Sequence, residues 1–209
     1  ASPPAGAPAD LVQSLPSPSL PKTQELMRQA DLIVATGGAG MVHAAYSSGT
    51  PAYGVGVGNA VHVVDETADL ADAASAILTA KTFDYATSCL ADNALVVHAD
   101  VYDELMWRLT EAGAHLCDAR QKEALRALMW PDGGPVPAVA VVAKSAARIA
   151  GLAGFEVDSA CPMILVEETG AGPDHPFSGE KLSVVRAVYR YAGGIGAAAD
   201  LVNAITAYQ

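Results

Sequence analysis

Cys89 is the residue in this chain best equipped for covalent chemistry. It closes the run Ala80-Lys81-Thr82-Phe83-Asp84-Tyr85-Ala86-Thr87-Ser88-Cys89, where a helical pattern gives way to small and polar residues. A thiolate there can attack a carbonyl carbon, and backbone N–H groups or a helix N-terminus favour the thiolate over the thiol. The same residue equally suits a buried, inert small hydrophobe, so the local sequence leaves both readings open. Glu180 lies in a polar loop between Gly179 and Lys181. A glutamate in that setting is either a solvated surface charge or a carboxylate with a ligand to hold. The third candidate is Thr36-Gly37-Gly38-Ala39-Gly40. Glycines there let a ligand approach the backbone, and the helix that follows offers N–H groups to an anion or a cofactor edge. The turn does not spell the full dinucleotide fingerprint, and a tight turn without a ligand would read the same way.

Other chemistries find less support. The five histidines have no metal-ligand spacing and no HExxH element occurs, so no metal site is expected. Cys89, Cys117 and Cys161 are odd in number and lack CxxC spacing, which argues against a disulfide framework and for a reducing, cytoplasmic setting. No cysteine-protease signature surrounds Cys89.

The elements that must position these residues alternate between strand and helix. A short strand over 11–15 and a Pro/Ser turn lead to a helix over 23–30, with Leu26 and Met27 spaced to face a core. Residues 32–35 form a short β-branched run expected of a buried parallel strand, followed by the glycine turn and a helix over 41–47. A third strand region over 51–64 is interrupted by Gly54, Gly56, Gly58 and Asn59. Alternating glycines in a strand indicate close approach of another backbone or a ligand. Asp65 and Glu66 open an acidic first turn to a helix over 68–79, and the Cys89 segment follows.

Beyond it come a strand over 94–97, a helix over 101–112 with the core stripe Tyr102, Leu105, Met106 and Leu109, and a strand over 114–117 that makes Cys117 structural. A helix over 120–129 and a turn at 130–134 precede 136–143, read as a buried strand or loop. Then come a helix over 144–153, a strand over 162–168, the polar loop carrying Glu180, a strand over 184–189 and a helix over 197–204. This order predicts an α/β fold, with residues 1–58 as one domain and 59–209 as a second.

Composition narrows the classes. With 209 residues, 51% of them hydrophobic and 17% charged, the chain is globular and can bury a sizeable core. No run approaches the roughly 20 apolar residues of a membrane span. A net charge of −11 disfavours binding to phosphate backbones, so nucleic acid is not an expected partner. The first eight residues lack an initiator Met and an apolar signal core, and read as an interior point of a longer chain.

Taken together, four ordered stretches resemble the aldehyde dehydrogenase superfamily, and more closely its CoA-acylating branch. They are Ala35-Thr36-Gly37-Gly38-Ala39-Gly40-Met41-Val42 with Ala44-Ala45-Tyr46-Ser47-Ser48-Gly49-Thr50-Pro51; Gly54-Val55-Gly56-Val57-Gly58-Asn59 with Asp65-Glu66-Thr67-Ala68-Asp69; Lys81-Thr82-Phe83-Asp84 leading to Cys89; and Pro176-Phe177-Ser178-Gly179-Glu180-Lys181-Leu182-Ser183. Ala86-Thr87-Ser88-Cys89 and Met129-Trp130-Pro131-Asp132-Gly133 look most like the sulfoacetaldehyde-using members, and acetaldehyde is the other substrate implied.

The resemblance implies a Rossmann-like half domain plus a catalytic α/β domain. It also implies a cysteine nucleophile at Cys89 and a nicotinamide cofactor, NAD or NADP, held by Thr36, Gly37, Gly38, Gly56 and Glu180, with coenzyme A as co-substrate. Hydrolysing members place a glutamate base at the position that falls here on Val55. A valine cannot activate water, which favours transfer of the acyl group to CoA over release of a free acid. The same resemblance implies a small aldehyde as the other partner, a homo-oligomer for the full-length protein, and further segments of the family beyond both ends, so that this piece alone is expected to be inactive. Tyr85 and Leu90 depart from the branch's usual residues around the cysteine and bear on the aldehyde pocket. A non-acylating aldehyde dehydrogenase, an inert nucleotide-binding scaffold with a buried Cys89, and an acyl-phosphate reductase are the competing readings.

Overall fold

The computed structural model describes Gly6, Pro8 and residues 10–208; most of the expected chain-interior start at 1–8 and the terminal Gln209 lie outside the described residues. It is a mixed α/β fold with parallel sheets, divided into two compact units, 1–57 and 58–209.

The first unit holds α1 (Leu20–Gln29), β1 (Ile33–Thr36), α2 (Ala39–Tyr46) and β2 (Ala52–Val55), with β1 and β2 parallel, so β1-α2-β2 is the expected strand-turn-helix-strand unit. Its small core is Met27, Ile33, Ala35 and Ala45. Two expectations fail here. Residues 11–15 form no strand, because nothing among the described residues pairs with them, and Leu11, Val12 and Leu15 are exposed. Leu26 is exposed beside buried Met27: α1 has one supporting neighbour layer, which reaches only one of two adjacent side chains on a helix. Strand β1 also alternates rather than burying both faces, with Val34 71% exposed between Ile33 and Ala35.

The second unit is a five-stranded parallel sheet in the order β3-β4-β7-β6-β5. Its strands are β3 (Ala60–Val64), β4 (Asp92–His98), β5 (His115–Leu116), β6 (Ile164–Glu167) and β7 (Val185–Tyr191), and its helices are α3 (Leu70–Thr82), α4 (Ala99–Glu111), α5 (Ala119–Met129), α6 (Ala146–Ala153) and α7 (Ile195–Thr206). Central strands β4 and β7 are buried along nearly their whole length, as parallel strands covered on both faces must be. Helix starts follow local capping chemistry: Asp69 accepts from the N–H groups of Ala71 and Asp72, and Asp118 forms a capping box with Gln121. Asp65, expected in the first turn of α3, instead caps a preceding turn through Thr67.

The strand region at 51–64 is two strands in two sheets: β2 pairs with β1 and β3 with β4, and residues 56–59 belong to neither strand. Residues 136–143 are loop rather than strand, and mostly not buried; only Val141 reaches the core, while Val136 and Val139 face solvent after Pro135 and Pro137 deny the backbone a ladder. Cys117 follows the two-residue strand β5 rather than sitting within it.

One connection departs from the helical crossover usual between parallel strands. β6 and β7 are neighbours and parallel, yet residues 168–184 join them as a loop with only a 3-10 turn at Pro176–Ser178. That loop carries Glu180.

Candidate active site

Three segments immediately preceding three neighbouring strands converge at one edge of the second sheet. Gly58-Asn59 leads into β3, the Cys89 turn leads into β4, and Glu180-Lys181 leads toward β7, and the sheet places these strands side by side as β3-β4-β7.

The route into Cys89 is unusual. After α3 ends, Asp84, Tyr85 and Ala86 take φ of 48°, 51° and 57°, a short left-handed turn built without glycine. L-residues pay a steric cost there, so the surrounding structure must impose it. Thr87 secures it, its hydroxyl donating to the Asp84 carbonyl at 2.9 Å and carboxylate at 2.8 Å. Cys89 then occupies the second position of a turn closed by the Ala91 N–H donating to the Ser88 carbonyl at 2.9 Å. Its side chain is half-buried, and Cys89, Cys117 and Cys161 are all free thiols.

Gly58 is where the three segments meet. A Cβ at this position would lie 2.4 Å from the Cys89 carbonyl oxygen, which no real side chain tolerates, so only glycine allows the approach. Its N–H donates to Glu180 Oε1 at 3.3 Å. The same glycine thus abuts the backbone of Cys89, the candidate nucleophile, and engages the candidate cofactor-holding carboxylate. Glu180 is half-buried, and burial raises its carboxyl above the usual range, partly offset by the Gly58 N–H and by Lys181. Among the described residues its Oε2 has no partner, leaving that oxygen for a hydroxyl of a bound ligand.

Side chains beneath this edge hold it. Asn59 Nδ2 donates to the carbonyls of Ser178 at 2.8 Å and Ile205 at 2.9 Å. Phe177, fully buried, packs edge-on against Trp130 with centroids 4.9 Å apart. Lys181 is fully buried and its Nζ donates to the carbonyls of Phe177 at 2.6 Å and Gly179 at 2.7 Å. Lys81, also fully buried, donates to the Asp92 carbonyl at 2.5 Å. Burial pushes the Lys81 ammonium well below its ordinary range, with Lys181 and Arg186 adding repulsion. Burial and Arg186 bring Lys181 down to about 7. Arg186, at about 10 through burial, stays charged at neutral pH and lies 3.8 Å from Asp92 Oδ2. Asp92 Oδ1 is 3.0 Å from His62 Nε2.

In the first unit, Thr36 ends β1 and Gly38 caps α2 without any side-chain hydrogen bond, so the first-turn amides of α2 have no capping side chain. The Gly37 N–H donates to the Val55 carbonyl at 3.1 Å, continuing the β1–β2 ladder. Val55 ends β2, half-exposed. Gly56 is exposed and a Cβ there would meet nothing within 4 Å, so its surroundings do not demand glycine. Among the described residues no cluster of three metal-ligating side chains occurs, and no helix is long and apolar enough to cross a membrane.

Sequence alone does not single out Gly58 among its alternating glycines, nor Asn59, Asn93, Lys81 and Lys181 as the members that hold the site. Lysine is ordinarily a surface residue, and nothing in its neighbours along the chain announces burial.

The model of the aldehyde dehydrogenase family matches residues 2–124. Over 208 residues the chain is 51% identical to a sulfoacetaldehyde dehydrogenase (acylating) of Cupriavidus necator, covering 98% of this chain and 42% of that protein. An acetylating aldehyde dehydrogenase from Geobacillus thermoglucosidasius superposes with a TM-score of 0.92 at 37% identity, covering 98% of this chain and 45% of that one. A propionaldehyde dehydrogenase from Rhodopseudomonas palustris, solved with bound CoA and an acylated cysteine, superposes with a TM-score of 0.81 at 29% identity over 90% of this chain and 43% of its own. The chain therefore spans less than half the length of the relatives it matches.

Proposed function

The chain belongs to the aldehyde dehydrogenase family, and from that premise we propose that it forms the nucleophile-bearing part of a CoA-acylating aldehyde dehydrogenase with Cys89 as its nucleophile. The observation that carries this is the Gly58 junction, where the Cys89 backbone and the Glu180 carboxylate meet one glycine. The relatives' acylating chemistry and the acylated cysteine of the Rhodopseudomonas palustris enzyme support the same assignment.

The reaction runs on Cys89. Its thiolate adds to the aldehyde carbon, giving a thiohemiacetal that loses hydride and becomes a thioester. A nicotinamide cofactor, NAD or NADP, supplies the hydride acceptor when bound. Glu180, whose Oε2 has no partner among the described residues, supports a ribose-holding role; in the first unit, the amides that open α2 after Gly38 have no capping side chain, which supports the cofactor role proposed for Thr36, Gly37, Gly38 and Gly56. The CoA thiol then displaces Cys89 from the thioester, so aldehyde, CoA and NAD(P)+ become acyl-CoA, NAD(P)H and a proton. Val55 at the position of the hydrolytic base supports thiol transfer over hydrolysis. The 51% identical relative's name supports sulfoacetaldehyde as the aldehyde. The odd number of cysteines and their lack of CxxC spacing support a reducing compartment, and the family supports a homo-oligomeric whole protein.

The test follows NAD(P)H formation by the full-length enzyme with sulfoacetaldehyde or acetaldehyde, with and without CoA. CoA-dependent turnover yielding acyl-CoA is expected. Turnover to the free acid that ignores CoA overturns the acylating assignment.

A further inference from the structure

We propose that Asn93 is a positioning residue whose single carboxamide sets the spacing between the Cys89 turn and the Glu180 loop; this rests on the function proposed above. Asn93 is 2% exposed, at the head of β4, and touches neither a substrate nor the reacting atoms in that scheme. Its Nδ2 donates to the carbonyl of Ala91 at 3.3 Å, the residue that closes the Cys89 turn. Its Oδ1 accepts the N–H of Lys181 at 3.0 Å, the residue directly after Glu180. The two partners are distant in the chain and are joined here through one planar group.

The amide cannot be reversed. A backbone N–H needs an acceptor, so Oδ1 must face Lys181, and this leaves Nδ2 for the turn. The arrangement is also reinforced from both sides. Lys81 fixes the carbonyl of Asp92, one residue before Asn93, and the Lys181 ammonium fixes the carbonyls of Phe177 and Gly179, just before Glu180. With both flanks tied to buried lysine amines, the carboxamide is the link that remains between them. An apolar side chain of the same size would orphan the buried Lys181 N–H and free the turn at once.

Two variants of the full-length enzyme test this, assayed well below their melting temperatures. Asn93→Leu removes both bonds. Its kcat should fall about tenfold to a hundredfold, since misplacement of about an ångström at a reacting centre costs that much, while KM for CoA stays within about threefold. Hydrogen exchange of amides 88–91 and 179–182 should accelerate together while the β4 and β7 amides keep their protection. Asn93→Asp keeps the acceptor and removes the donor, so exchange should rise at 88–91 alone. The proposal is overturned if Asn93→Leu leaves kcat unchanged, if the two segments respond independently, or if exchange rises evenly across the sheet, which marks a general loss of stability. If the parent enzyme shows no CoA-dependent aldehyde oxidation, the function proposed above fails, and the exchange pattern by itself decides whether Asn93 couples the two segments.

Discussion

The glycine turn after β1 and the glycine junction before β3 look alike as sequence, yet the structure uses them in opposite ways. At Gly38 and Gly40 of the first turn a Cβ would meet nothing within 4 Å and at Gly37 only the Met41 side chain at 3.3 Å, whereas at Gly58 it would meet the Cys89 carbonyl oxygen at 2.4 Å; Gly56, two residues before it, is open. The first turn is open at Gly38 and Gly40, where a small side chain would fit, and the first-turn amides of α2 have no capping side chain. The second is closed: its glycine is a steric requirement of bringing two backbones together. The sheets differ in the same sense. The first unit leaves Val34, Tyr53 and Val55 exposed, while β4 and β7 of the second are buried almost throughout. The first unit's strands are covered on one face only, and the central strands of the second are covered on both.

The largest expected effect tests whether the closed region holds the chemistry. Cys89→Ala in the full-length enzyme should lower kcat by about a thousandfold or more, with the dissociation constant of NAD(P)H, read by its fluorescence, within about threefold of the parent. Substantial residual turnover would place the nucleophile elsewhere.

Next, paired glycine substitutions address the contrast itself. Gly58→Ala should lose about 1–3 kcal/mol of stability through overpacking and about a hundredfold in kcat through displacement of the Cys89 turn. Gly56→Ala should change stability by less than about 0.5 kcal/mol, as an unencumbered exposed site. Equal effects in denaturant unfolding and kinetics would erase the distinction drawn between an open glycine and a closed one.

The closed region should also leave a pH signature. Burial and Arg186 lower Lys181 to about 7, with Glu168 and Glu180 opposing. In the unfolded chain lysine titrates near 10.4, so between these values the unfolded state binds more protons and stability rises with pH. The penalty for burying the ammonium is present in full below about pH 7 and is relieved on going toward about pH 10. Thermal unfolding from pH 6.5 to 9 should show this rise, and Lys181→Met should reduce it, with the buried Lys81 supplying the remainder, even though that variant loses the donor to the Phe177 and Gly179 carbonyls. An unchanged slope would mean that Lys181 keeps its proton in the folded protein across this range, as an exposed lysine does.

The smallest effect concerns the left-handed turn at 84–86. Asn occupies φ near 51° more readily than Tyr, so Tyr85→Asn should stabilise by about 0.5–1 kcal/mol, a shift of roughly 1–4 °C in Tm. No gain in a melting experiment would mean that contacts of the half-exposed Tyr85 ring offset the backbone strain.

Much of the fold was legible along the chain. Strand and helix alternate in a pattern that reads directly as parallel α/β structure, and the stripe Tyr102, Leu105, Met106 and Leu109 is buried as its helical spacing requires, whereas the caps Asp69 and Asp118 came only from the structure. Residues 11–15 misled because an apolar run between prolines has strand-like composition, while a strand exists only when another strand pairs with it. The region 51–64 misled for a related reason: its composition is continuous, but the two halves pair in different sheets.

By itself, the sequence determined the α/β class, the Cys89 segment, the Glu180 loop and the ordered motifs that tie the chain to its family, because these depend on residue type and spacing over short stretches. Only the tertiary structure decided that Gly58, the Cys89 turn and the Glu180 loop share one sheet edge, that Asn93 joins two of them, and that Lys81 and Lys181 are buried beneath. Strand order set those neighbours: β7 comes last in sequence yet lies beside β4, and side-chain burial follows from that pairing rather than from the character of a lysine or an asparagine.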